Sequence, residues 1–142
     1  MANRVEEMVG VLREWQGIER QAMNDTAEIM EATDNRLIRL IMEIIRHDSL
    51  MHHRVQQFLV DSVTKEDVPV TREDIAEVWE KIEAHDETER KTIEMAEQLH
   101  GKAWNPVHKI LYHYLITDEK KHDGLLNELN EVKKGMNKAS GG

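Results

Sequence analysis

The chain has 142 residues, enough for one domain whose core can enclose polar chemistry. It is 39% hydrophobic, 4% aromatic and 33% charged, with two prolines and no cysteine. That balance favours long amphipathic helices over sheet, and it excludes disulfides, thiolate metal sites, iron–sulfur clusters and cysteine catalysis. A formal net charge of −9 argues against nucleic acid and anionic membrane as partners, since both select clustered Lys and Arg.

No apolar run approaches the ~20 residues of a membrane helix, and the first residues, Met1 to Glu7, lack the apolar stretch of a secretory signal. The expected location is therefore cytoplasmic. In chain order, a first helix is predicted over 3–32, and Thr33-Asp34-Asn35 supplies capping side chains before a second over 35–61. The stretch Asp61 to Val70, with Pro69, is the longest connection; fully extended it spans ~33–36 Å, enough for a crossover along much of a bundle. Thr71, with Asp74 three residues on, starts a third helix over 72–100, and Gly101 is expected to end it. Asn105-Pro106 starts a fourth over 106–134. Residues 1–134 form the expected domain, and 135–142 read as a disordered tail.

Residues 5–62 lie on residues 75–132 without a gap at a constant shift of 70. Val5, Met8, Val9 and Leu12 fall on Ile75, Val78, Trp79 and Ile82, and Asn35 falls on Asn105. Leu37, Leu40, Ile41, Ile44 and Ile45 fall on Val107, Ile110, Leu111, Tyr114 and Leu115. The fold expected is all-α, a four-helix bundle made of two duplicated helical hairpins, about 4–62 and 74–132.

The same register superposes Glu19 on Glu89, Asp48 on Asp118 and His52 on His122. At helical periodicity Glu19 and Glu89 sit at the centres of apolar stripes, Asp48 and Asp118 interrupt the stripes of the second and fourth helices, and each histidine follows one turn later. Each glutamate lies about as far before its turn as the aspartate lies after it, so the four carboxylates are expected to meet at mid-bundle. Ionised carboxylates ~4 Å apart repel by roughly 4 kcal/mol per pair at an effective dielectric of ~20. Two divalent cations would neutralise four carboxylates and leave two imidazoles as nitrogen donors, a ligand set suited to iron or manganese.

On these residues the chain resembles the ferritin-like superfamily, especially its rubrerythrin-type and bacterioferritin-type members, over residues 4–134. Such proteins use one Glu from each of two helices and E-x-x-H from each of the other two. Glu19 and Glu89 match the single glutamates, and Glu119-Lys120-Lys121-His122 is an intact E-x-x-H, whereas Ser49-Leu50-Met51-His52 has serine in place of glutamate. Because both halves keep D-x-x-x-H, Asp48 and Asp118 are the favoured carboxylates, with Glu119 a competing or additional ligand. His85, one turn before Glu89, is a further candidate ligand that would make the two metal positions inequivalent. The alternative for the whole cluster is a hydrogen-bonded polar layer that sets helix register.

The resemblance implies a di-metal carboxylate protein with two iron ions, manganese or zinc being the competing metals. It would react with dioxygen or peroxide in a ferroxidase- or peroxidase-like manner, or in an oxygenase-type reaction. Having no cysteine for a rubredoxin-like centre, a peroxidase would depend on an external electron donor. A homodimer is expected over a ferritin shell because no fifth helix follows. The non-enzymatic alternatives are a metal-binding or metal-sensing protein and a helical interaction module with a structural polar core.

Overall fold

A computed structural model describes residues 2–141, with side chains described for 3–136. It is all-helical: α1 is Ala2–Ala32, α2 is Arg36–Thr64, α3 is Arg72–Lys102 and α4 is Pro106–Gly141. Strands are absent among the described residues, and no helix there is long and apolar enough to cross a membrane. The chain divides into two compact units, residues 1–69 with α1 packed on α2 and residues 70–142 with α3 packed on α4. Each unit is a helical hairpin.

Local chemistry accounts for the breaks. Asn35 accepts hydrogen bonds from the backbone N–H groups of Leu37 (3.1 Å) and Ile38 (3.0 Å), two donors that have no partner within α2. Asn105 does the same for Val107 at 2.9 Å, with Pro106 in the first helical position, where its missing N–H costs nothing. Thr71 and Asp74 form a reciprocal capping box at the start of α3, both bonds measuring 3.1 Å.

Three helix ends differ from the sequence reading. Helix α2 runs to Thr64 because Lys65 N–H donates to the Asp61 carbonyl at 2.9 Å and Lys65 Nζ reaches the Asp61 carboxylate at 3.4 Å. The connection therefore shortens to residues 65–71. Gly101 lies inside α3, which continues to Lys102 and ends at an extended Ala103. No described glycine has a positive φ, so a left-handed glycine stop is not used here. Helix α4 continues through the region expected as a tail, of which Gly142 and the side chains from 137 onward lie outside the described residues.

Within the first hairpin, Leu12, Gln16, Glu19 and Thr26 of α1 are buried, as are Ser49, Gln56 and Val60 of α2. These positions recur at three, four or seven residues, the spacing of one helix face. In the second hairpin the buried side chains are Ile75, Asp86, Glu89 and Ala96 of α3 and Ile116 of α4. Polar residues thus outnumber apolar ones among the buried side chains of the two hairpins. Many larger apolar residues stay exposed within each hairpin, among them Val5 and Met8 on the same face as Leu12, Trp15 (50%) and Met51 (53%).

Candidate metal centre

The buried polar seam of the first hairpin is organised by Gln16, which is 1% exposed. Its amide nitrogen donates to the His53 carbonyl (3.3 Å) and to Gln57 Oε1 (3.1 Å), while its oxygen accepts from Arg13 Nη1 at 2.9 Å. One turn along α1, Glu19 is 7% exposed, and its Oε2 lies 3.2 Å from His52 Nδ1 across the hairpin. The imidazole is close without meeting hydrogen-bond geometry, so among the described residues this buried carboxylate oxygen has no hydrogen-bond donor. That is an acceptor left open in a desolvated place, a costly state that a cation would relieve. Asp48 is half-buried on the following helix and is not drawn into this pair.

The second hairpin gathers more. Glu89 is 9% exposed, with His85 Nε2 2.8 Å and His122 Nδ1 3.6 Å from its Oε1. His85 and Glu89 are one turn apart on α3, whereas His122 reaches across from α4. Glu119, three residues before His122, completes a group in which Glu89, Glu119 and His122 each offer a ligand atom within 4.8 Å of the others. The Thr92 hydroxyl donates to the Glu89 carbonyl at 2.7 Å and lies 3.3 Å from Glu119 Oε2. Asp118, favoured by the repeat, lies 3.3 Å from His122 Nε2 and is also paired with Lys121 Nζ at 2.9 Å. The structure therefore draws the E-x-x-H glutamate into the group and places the D-x-x-x-H aspartate behind the histidine, where it can orient the ring.

No protein-family model, curated protein or solved structure matches the chain. Its chemistry is accordingly read from these side chains. Two carboxylates and one imidazole, supplied by two helices and partly withdrawn from water, match the hard-oxygen plus imidazole donor set of iron, manganese or zinc.

Beside this group lies a second cluster that a repeat-based reading passes over. Arg90 Nη2 pairs with Asp86 Oδ2 at 2.9 Å, and Arg90 Nε lies 3.6 Å from Asp123 Oδ1. The adjacent Asp123 carboxyl, followed by burial, holds the Asp86 carboxyl above its ordinary pKa, against the opposing pull of Arg90. The shift of 70 pairs Asp86 with Gln16 and Asp123 with His53, so no acidic position repeats. Only the surviving arginine register marks the place: Arg20 Nη1 donates to His53 Nε2 at 3.1 Å where Arg90 meets Asp123. A pocket of about 460 Å³ opens along α3 and α4 beside Trp79, Asp86 and Arg90. The group of Glu89, Glu119 and His122 does not line it.

Proposed function

We propose that the chain is a metal-carboxylate protein of the ferritin-like kind, whose second hairpin binds a divalent ion through Glu89, Glu119 and His122. The observation that carries this reading is the convergence of those three donors around a buried glutamate. Glu19 and His52, with Asp48 on the same helix face as His52, are the matching candidates for a second ion. The hard-oxygen and imidazole donor set favours iron, with manganese and zinc as competitors. Two bound ferrous ions would supply the two electrons that, with two protons, reduce hydrogen peroxide to water, and dioxygen is the alternative oxidant. An external electron donor would then restore the ferrous state. The chain's own residues supply charge, orientation and partial exclusion of water.

Anaerobic titration of the metal-free protein with ferrous iron, followed by peroxide or air, tests this reading. Two ions bound per chain and an oxidised-iron absorption that forms on mixing support the oxidoreductase. Binding with no oxidation faster than that of free iron leaves a metal-binding or metal-sensing protein. The competing reading, a helical interaction module with a structural polar seam, is favoured by the Gln16 network, whose groups have no use for a metal. It is selected if no ion binds.

A further inference from the structure

Resting on the metal reading above, we infer that the two ion positions are unequal by construction: the second hairpin binds its ion tightly and first, and the first hairpin binds weakly and exchangeably. The inference comes from comparing the hairpins position by position. Both keep a buried glutamate near an imidazole from the opposite helix, Glu19 with His52 at 3.2 Å and Glu89 with His122 at 3.6 Å. Everything that turns such a pair into a fuller site is present in the second hairpin alone.

Three replacements at the shift of 70 act together. Where Glu119 supplies a second carboxylate, the first hairpin has Ser49. Where the Thr92 hydroxyl lies 3.3 Å from Glu119, it has Ala22, which offers no polar group. Where His85 lies 2.8 Å from Glu89, it has Trp15, half exposed and unable to ligate. The second hairpin thus holds a ligand, a hydroxyl beside it and an additional imidazole, and the first hairpin lacks all three. Among the described residues, only Glu89, Glu119 and His122 form a group of three donors at metal-binding distances. Ligand number and outer hydrogen bonds both raise affinity, and outer bonds alone change it by roughly 10–100-fold. Asp48, sharing a helix face with His52, would have to be recruited before the first hairpin reached three ligands.

The test is a titration of the full metal-free chain with cobalt(II), which resists oxidation in air and reports its ligands through visible absorption, with circular dichroism to confirm that each variant keeps its helicity. Two phases are expected, the first tighter by roughly tenfold or more. Glu119→Gln should remove the tighter phase and spare the weaker one, and His52→Ala should do the reverse. Trp15→His, a substitution at an exposed position, should strengthen the weaker phase by restoring an imidazole one turn before Glu19. Two equal phases, or loss of the tight phase in His52→Ala, would overturn the inequality and leave metal binding itself standing. Absence of any cobalt binding would overturn both.

Discussion

Replacing Glu119 by glutamine gives opposite signs in two assays if the residue is a metal ligand. Its carboxylate oxygen and that of Glu89 lie within 4.8 Å, and unit charges at that distance repel by roughly 3 kcal/mol at an effective dielectric of about 20. Glu119 is only half-buried, so solvent and counterions reduce the relief from removing its charge to about 1 kcal/mol. The Thr92 hydroxyl already donates to the Glu89 carbonyl at 2.7 Å and makes only a longer 3.3 Å contact with the carboxylate, so the amide loses little hydrogen bonding. Metal-free Glu119→Gln is therefore expected to melt about 4 °C above wild type, the shift such a free energy gives in a chain of this size. Its affinity for a divalent ion should meanwhile fall by roughly tenfold, about 1.4 kcal/mol. Thermal unfolding by circular dichroism, first in chelator and then with cobalt(II), measures both effects. A variant that melts lower in chelator yet keeps the full metal-induced gain would show that Glu119 braces the helices and holds no ion.

The remaining expectations concern the scaffold. Gln16→Ala removes an almost fully buried amide with three hydrogen-bond contacts and should cost about 2 kcal/mol in urea unfolding, with metal affinity at Glu89 unchanged. Thr71→Ala deletes one arm of the α3 capping box and should cost about 1 kcal/mol. The Thr71 backbone N–H, and then its hydroxyl, hold the Asp74 carboxyl below its ordinary pKa. Because the folded value is depressed, this contribution is fully present above the ordinary carboxylate range and is lost as pH falls through the lowered value. Urea unfolding across the acid range should therefore show a weaker pH dependence in Asp74→Asn than in wild type.

Much of the helical layout is legible without coordinates because caps and periodicity are local. Asn35, the Thr71 and Asp74 pair, and Asn105-Pro106 each announce a helix start, and the apolar spacing picks out Glu19 and Glu89, both of which are buried. Repetition links Glu19 to His52 and Glu89 to His122, since an unchanged separation in both halves returns both residues to the same level. Non-repeating features are harder to see. The cluster of Asp86, Asp123 and Arg90 replaces a Gln16 and His53 arrangement, so a search for repeated polar residues cannot detect it. The choice between Asp118 and Glu119 depends on side-chain direction: neighbouring helical residues diverge by about 100°, and only Glu119 joins Glu89 and His122 in one group of donors. Gly101 misleads because an exposed glycine with no atom within 4 Å of its missing Cβ can continue a helix when no left-handed turn is required.

The two asparagine-capped turns have a bearing on chemistry far from where they sit. Each settles how many residues separate a glutamate on the outgoing helix from a histidine on the returning one. One residue added between the capping asparagine and the histidine would rotate that histidine by about 100° and move it by about 1.5 Å along the helix axis. His52 or His122 would then look away from its carboxylate even though every helical turn survived, so the count of residues from cap to histidine acts as a hidden component of ligand geometry.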